Sequence, residues 1–326
     1  MKKQISPYYS LKNIERLLKI KRVQLRKVAT RAGAHYDPYD ELQIKKNGKK
    51  KWRHIDNPDR ELKYIQRRIL KKILLPHLLK LPAGMIGGVS GKSIKDNALP
   101  HIKQEMIVTI DIKDCFPHTT DSMVINVWRN TIGLGSRQAE LFTKLSTFRT
   151  ILPQGAPTST ALCNLVLLPL FNDIKSYADE HFIMFTLYVD DVTISGETDS
   201  VLSAITPIVR LIQKYGYGVR REKIGIMPAN WPQRVTGLNA NKSVNIAQGK
   251  IQETRNKILL IAKRGTGATS KEFNSINGDI QHISTISKTK AKKLKEFAEM
   301  LLPKGIILSD KEKEKPLTRK CRHHKA

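Results

Sequence analysis

Acidic residues are scarce in this chain of 326: 29 Asp and Glu stand against 58 Lys and Arg, a formal net charge of +29 at pH 7. An imbalance of that size predicts a polyanionic partner rather than a merely solvated surface. Cysteine is nearly absent. Cys115, Cys163 and Cys321 are odd in number and lack metal-ligand spacing, which excludes a disulfide framework and a zinc ribbon and leads us to expect reduced thiols in a cytoplasmic protein. No apolar run approaches the roughly 18 residues of a membrane span. The opening Met1-Lys2-Lys3-Gln4 runs into polar residues instead of the apolar core of a signal peptide. With no basic amphipathic anchor either, nucleic acid and not a membrane is the expected partner. Internal repeats and long low-complexity segments are also lacking. The length is ample for a sizeable core.

The few acids fall in telling places. In Phe185-Thr186-Leu187-Tyr188-Val189-Asp190-Asp191-Val192-Thr193-Ile194-Ser195, apolar and polar residues alternate on both sides of the acidic pair, which predicts two strands joined in a hairpin with the carboxylates at its tip. Adjacent aspartates on an apolar ribbon repel and resist burial unless a cation neutralises them. A hard, oxygen-loving ion, magnesium first, suits them; a solvated Asp-Asp turn is the plainer alternative. Met106 to Asp111 is a second apolar strand ending in aspartate. Asp111 could complete a set of three carboxylates holding two ions about 3.5–4 Å apart, an arrangement that serves phosphoryl transfer; otherwise it caps the segment that follows. Between the two strands, Leu152-Pro153-Gln154-Gly155-Ala156-Pro157 reads as a loop opening into a helix over Ala161 to Tyr177, so that polar groups and a helix N-terminus face a ligand together.

The order Asp111, then Leu152-Pro153-Gln154-Gly155, then Tyr188-Val189-Asp190-Asp191 resembles the palm of a reverse transcriptase. Asn97-Ala98-Leu99-Pro100-His101 and Val235-Thr236-Gly237 resemble two further elements of bacterial retron reverse transcriptases. The resemblance covers about Lys50 to Leu238. It implies an α+β right-hand polymerase with fingers, a palm of antiparallel sheet plus helices, and a small helical thumb. The corresponding spans are 1–106 for an N-terminal helix and fingers, 107–238 for the palm with a finger insertion at about 117–150, 239–310 for the thumb, and 311–326 for a basic tail.

The resemblance also implies roles. Asp111, Asp190 and Asp191 become catalytic metal ligands for two Mg2+ ions, with Mn2+ as a substitute. Lys51 and Arg53 match the basic fingers positions that reach a triphosphate, and Phe116 matches an aromatic that collides with a ribose 2′-hydroxyl. Gln154 and Gly155 line the template and nucleotide, and Lys223 faces the leaving pyrophosphate. Asn97, His101, Val235, Thr236 and Gly237 fall where that family contacts its RNA or supports the site. The function implied is RNA-directed synthesis of single-stranded multicopy DNA from a cognate non-coding RNA, primed from an RNA 2′-hydroxyl, with deoxynucleoside triphosphates as substrates. An accessory effector and a role in anti-phage defence complete that picture. A non-retron or group II-like reverse transcriptase is the alternative, and a non-catalytic RNA-binding scaffold is the alternative of another class. Two departures stand out: Val189 where alanine is usual, and Arg220 where an Asn is expected.

The rest of the chain is read from periodicity. Leu11 to Val28 predicts a helix capped by Ser10, and Asn47-Gly48 predicts the turn of a basic hairpin. Leu62 to Leu79, Val201 to Tyr215, Gln252 to Arg264, Ser270 to Ser284 and Thr289 to Leu301 predict helices. Gly91-Lys92-Ser93 superficially suggests a phosphate loop, but it lacks the spaced glycines and the preceding strand that such a loop needs.

Overall fold

The computed structural model describes residues 11–44, 50–264 and 268–302. Ser10, the Asn47-Gly48 turn, Cys321 and the tail 311–326 lie outside the described residues. The described chain divides into two compact units, one running to Thr236 and including Ala240–Ser243, the other comprising Gly237–Asn239 and the chain from Val244.

The first unit begins with α1 (Leu11–Leu18) and α2 (Arg22–Thr30), two helices where the periodicity predicted one. The break is tertiary in origin. Lys19 takes a left-handed φ of 52°, Arg68 donates from Nε to the Leu18 carbonyl at 2.8 Å, and the Glu15 carboxylate accepts the Arg22 N–H. These bonds satisfy the polar groups exposed at the break. Strands β1 (Tyr36–Ile44) and β2 (Lys50–Pro58) pair antiparallel, with Leu42 opposite Trp52 and Asp40 opposite His54. Next, α3 (Arg60–Ile69) passes through a widened π turn at Leu70–Leu74 into α4 (Leu75–Leu78). Pro76 explains the departure from a regular helix, because it has no N–H to donate and its ring clashes with the carbonyl four residues earlier.

After α5 (Ile94–Ala98), the palm sheet is built on β3 (Met106–Lys113). The short α6 (Cys115–His118), α7 (Asp121–Asn126) and α8 (Ser136–Ser146) follow, then the long α9 (Ser159–Glu180), the hairpin β4 (Met184–Tyr188) and β5 (Asp191–Gly196), and α10 (Thr198–Lys214). One edge of β3 takes β5, and the other takes β6 (Gly218–Val219) and β7 (Gly225–Pro228), all antiparallel. Because side chains alternate across a strand, Val108, Ile110, Ile112, Val192, Ile194, Phe185 and Leu187 form one apolar face, which joins the core with α9 and α10. The opposite face carries Asp111, Asp191 and Tyr188 at one end and Thr186, Thr193 and Ser195 at the other. A single core cluster runs from Ile14 to Tyr217, so the expected fingers and palm share one interior. The α+β palm of a right-hand polymerase is therefore present as expected.

The second unit contains β9 (Leu238–Asn239) paired with β10 (Asn245–Ile246), which follow β8 (Arg234–Val235) of the first unit in the chain. Its helices are α11 (Gln248–Arg264), α12 (Ser270–Ile286) and α13 (Lys288–Leu301). They pack around Ile258, Ile261, Ile276, Ala298 and Leu302. Asp279 holds Lys250 at 2.7 Å and Lys257 at 2.8 Å, pinning α11 to α12.

The polar end of the palm sheet is sealed by His101. Its Nδ1 lies 2.7 Å from the Ser195 hydroxyl and its Nε2 lies 2.8 Å from that of Thr186, so the ring straps β4 to β5. Burial pushes His101 down from 6.5 to about 4. Between those two values the unfolded chain binds a proton that the folded chain refuses, so the stability present above pH 6.5 drains away as pH falls towards 4, a difference on the order of 3 kcal/mol. Thermal denaturation across that window is expected to show this slope. His101→Gln, which cannot charge, is expected to lie below the native chain at pH 7 and converge on it at pH 4.

Candidate active site

The register of the sheet brings the acids together. Asp111 of β3 stands directly opposite Asp191 of β5. Val189 and Asp190 form the two-residue connection of the β4–β5 hairpin, and the Asp190 carbonyl accepts the Ile112 N–H at 2.9 Å, so the turn is fixed to the central strand. Val189 has a φ of 58°, a left-handed conformation unfavourable for a β-branched residue. Such strain persists only where the surroundings enforce it. Here they do: the Leu187 N–H donates to Gly84 O at 2.8 Å and the Ile86 N–H to Leu187 O at 2.9 Å, so the loop 82–93 binds the edge of β4. Gly87 then passes so close that an added Cβ would lie 2.5 Å from the Val189 nitrogen. Lys92, in the stretch that superficially suggests a phosphate loop, donates instead to the carbonyls of Pro82, Ala83 and Met85 at 2.8–3.1 Å and holds this loop closed.

The electrostatics are those of an acidic cluster short of countercharge. Burial, with the nearby Asp111 carboxylate, raises Asp190 above the usual carboxylate range. Asp191 is pushed up to about 6 by burial and by repulsion from Asp190 and Asp111. Asp111 is held by basic side chains: Lys223 donates to Oδ2 at 3.0 Å, and Arg220 pairs with Oδ1 at 3.2 Å while also binding Asp114. Among the described residues no three metal-ligating side chains converge on a single point, and the buried Oδ1 of Asp111 has no hydrogen-bond partner. The donor chemistry nonetheless fits a hard divalent ion, because it consists of carboxylate oxygens alone, on adjacent strands, two of them destabilised in their charged form.

A cavity of about 500 Å³ opens in front of Asp190 and Asp191, while Asp111 does not line it. Lys51 and Arg53 of β2, Phe116, Gln154, Asp190 and Asp191 all line it. Of the residues expected in the site, these six are thus gathered in one space, and Lys223 joins through Asp111. Gly155 stands behind Gln154 with a φ of 121°, its Cα so near β2 that a Cβ would lie 3.0 Å from Ile55 Cγ2; it permits the loop to close on the strand.

Asn97, His101 and Val235 are placed otherwise. Each is 0% exposed, so contact with RNA through these side chains does not fit their burial. His101 braces the sheet that carries the acids, and Asn97 is buried in α5. Thr236 and Gly237 have φ of 45° and 83°, a pair of left-handed residues forming a turn, with the Thr236 hydroxyl 3.4 Å from Ile94 O. Several residues that line the cavity, among them His54, Arg220 and Tyr188, are not assigned to it by the sequence. Arg220 was marked only as a departure from Asn, and its charge opposite two aspartates could not be placed from spacing. Tyr188 also lines the cavity, and its position beside Val189-Asp190-Asp191 was the available signal. Cys115 and Cys163, distant in sequence, meet as free buried thiols with sulfurs 3.4 Å apart.

The dependence of the acidic turn on Gly87 is testable. Gly87→Ala is expected to lose about 1–3 kcal/mol through overpacking, lowering Tm by about 2–4 °C per kcal/mol. Gly33→Ala, whose Cβ would meet nothing within 4 Å, is expected to leave Tm undiminished in the same denaturation experiment.

Comparison with known proteins identifies the family. The family described as "Reverse transcriptase (RNA-dependent DNA polymerase)" matches residues 44–240. The retron Ec86 reverse transcriptase of Escherichia coli is 31% identical over 259 residues, covering 79% of this chain and 79% of that protein. The retron Mx65 reverse transcriptase of Myxococcus xanthus is 33% identical over 215 residues, covering 60% of this chain and 50% of that protein. Among solved structures, telomerase from Candida albicans, in complex with a fragment of telomeric RNA, is similar with a TM-score of 0.48 at 11% identity, over 83% of this chain and 59% of that one. Matched over more than half its length by the family and over most of its length by the Ec86 enzyme, the chain belongs to the retron reverse transcriptases and is an RNA-directed DNA polymerase.

Proposed function

We propose that this polymerase copies part of a cognate structured non-coding RNA into single-stranded multicopy DNA, priming from an internal RNA 2′-hydroxyl and leaving the DNA joined to RNA. In this reading it works in the cytoplasm, beside an accessory effector protein, in anti-phage defence. The observation that supports it is the gathering of Lys51, Arg53, Phe116 and Gln154 around Asp190 and Asp191 in one cavity of about 500 Å³, in a chain of +29 net charge. That is room for a deoxynucleoside triphosphate beside a template base. We assign 1–106 to the N-terminal helix and fingers, 107–238 to the palm and 239–310 to the thumb, whose Lys-rich helices suit the backbone of a duplex.

Asp111, Asp190 and Asp191 would hold two divalent cations, magnesium first, which supply charge neutralisation for the attacking and leaving oxygens of phosphoryl transfer. Every other task falls to the chain. Lys51 and Arg53 bind the triphosphate through charge-assisted hydrogen bonds. Gln154 positions nucleotide and template, and its loop opens directly into α9. The Phe116 ring occupies the space that a ribose 2′-hydroxyl would need. Lys223, paired with Asp111 at 3.0 Å, neutralises the leaving pyrophosphate or donates its proton. Arg220 neutralises Asp111 and Asp114 and keeps the acidic end of β3 folded before substrate arrives.

The combined change Asp190→Ala and Asp191→Ala is expected to reduce DNA synthesis by at least about 10³-fold, since it removes several kcal/mol of transition-state stabilisation, while RNA binding in a filter assay stays intact. Expression with the native flanking DNA, followed by extraction of nucleic acid from the purified protein, tests the retron reading itself. A discrete single-stranded DNA that shifts on RNase or debranching treatment and vanishes in the double variant is the expected result. DNA synthesis without that species would leave a general reverse transcriptase, and absence of both would leave an RNA-binding scaffold. Phe116→Ala is expected to lower selectivity for deoxynucleotides over ribonucleotides by about 10–100-fold, read from single-nucleotide incorporation; unchanged selectivity would return Phe116 to the core.

A further inference from the structure

The loop that carries Gln154 is held at two points, Leu152 and Gln154 itself, and the two holds differ in kind. On the palm side, the Leu152 N–H donates to Thr119 O at 2.9 Å, and the Thr119 hydroxyl lies 2.9 Å from that of Tyr217. This anchor is buried and belongs to the core. On the fingers side the link runs through side chains of β1 and β2. The Asp56 N–H donates to Gln154 O at 2.7 Å, and the Asp56 carboxylate accepts the Gln154 N–H through Oδ2 at 3.2 Å. Asp56 therefore clasps both backbone groups of Gln154 from a position 98 residues earlier in the chain.

The other oxygen of Asp56 is also taken. His54 approaches Oδ1 with Nε2 at 3.1 Å and holds Asp40 Oδ1 with Nδ1 at 2.9 Å. Asp40 stands opposite His54 in the hairpin register, so one continuous line of polar contacts runs Asp40, His54, Asp56, Gln154. The Asp40 carboxylate holds His54 above its usual range, which favours the charged ring that both acids require. His54 lines the same cavity as Gln154, Lys51 and Arg53, whereas Asp56 does not reach it.

Stability alone does not account for this line. His54 is half exposed, its side chain at 52%, and ion pairs at such sites contribute little to folding. The backbone does account for it: Gly155 has a φ of 121° and sits where a Cβ would press within 3.2 Å of Asp56 O, so the loop is built to lie against β2. The strand that carries Lys51 and Arg53 is thus tied to the loop that carries Gln154, and the residues proposed to meet the triphosphate and those proposed to meet the template are set by one framework. Linked polar groups of this kind act as a unit.

We propose that Asp56 and His54 are positioning residues for DNA synthesis: Asp56 fixes Gln154 against β2, and His54, braced on Asp40, fixes Asp56. Neither touches the reacting atoms. This inference rests on the reading of Gln154 as a nucleotide-positioning residue. Loss of the fingers-side clasp leaves the palm-side anchor at Leu152 in place, so the loop stays folded while Gln154 loses its aim. Displacement of an aligned group by a fraction of an ångström is felt in substrate positioning.

The test is single-nucleotide incorporation on an RNA template with a DNA primer, with kcat and KM for the deoxynucleoside triphosphate measured for Gln154→Ala, His54→Ala, Asp56→Ala, Asp56→Asn and the His54→Ala, Gln154→Ala pair, beside Tm. The expected result is a KM raised about tenfold in Asp56→Ala and several-fold in His54→Ala, with kcat within about twofold and Tm of His54→Ala within 2 °C, about 1 kcal/mol. Asp56→Asn, which can still accept the Gln154 N–H while donating to a neutral His54, is expected to recover most of the loss. In the paired variant His54→Ala is expected to add nothing to Gln154→Ala. If Gln154→Ala raises KM while His54→Ala and Asp56→Ala do not, or if the paired effects multiply, the positioning role is overturned. An unchanged KM in Gln154→Ala would instead overturn the reading of Gln154 on which this one rests. Should Asp56→Ala fail to fold, His54→Ala decides the matter, because its exposed ring carries no core contact.

Discussion

Mutual repulsion among Asp111, Asp190 and Asp191 is the constraint on which the rest of the structure turns. Like charges at such separations disfavour the ionised form of their neighbours, and burial adds to the effect, as the upward shifts of Asp190 and Asp191 record. A fold that gathers these groups must resist their tendency to spread. The palm does so from three directions: β3 is paired along both edges, the loop 82–93 binds the free edge of β4, and Arg220 with Lys223 supplies positive charge at Asp111.

The same sheet divides its labour between its faces and its ends. One face is wholly apolar and sits on α9 and α10, which gives the strands a rigid backing. The other mixes Ile107 and Met184 with polar residues, and each end treats its polar groups differently. At the far end the Thr186 and Ser195 hydroxyls are satisfied by His101 in a dry interior, as buried polar groups require. At the near end Asp190 and Asp191 stay open to a cavity, where water, a nucleotide or an ion can meet them. A neutral histidine at one end and a charged cluster at the other are two outcomes of one alternating pattern, separated by what covers them.

Precision at the near end is assembled from contacts that span the chain. Val189 keeps a left-handed backbone against a Gly87 that has no room for a Cβ, and the loop of Gln154 is held by Asp56 at Gln154 and by Thr119 at Leu152. These are small adjustments on a large core. They illustrate why activity sites tolerate local violations of backbone preference where the surrounding packing over-determines them.

Local pattern was enough for the strands that carry Asp111, Asp190 and Asp191, for the helix opening after Gln154, and for the three helices near the C-terminal end, since alternation and 3.6-residue periodicity are properties of neighbouring residues. Charge balance was enough to point to nucleic acid. What the sequence did not disclose depends on residues that only folding brings together. Arg220 meets Asp114 from 106 positions away, Cys115 meets Cys163, Arg68 ends α1 where periodicity ran on, and Asn97 and His101, just before β3 in sequence, are buried within the unit. Periodicity states which face of an element is apolar. It cannot state what will cover the polar face, and that choice, made by tertiary packing, separates a histidine that braces a sheet from one that could touch RNA.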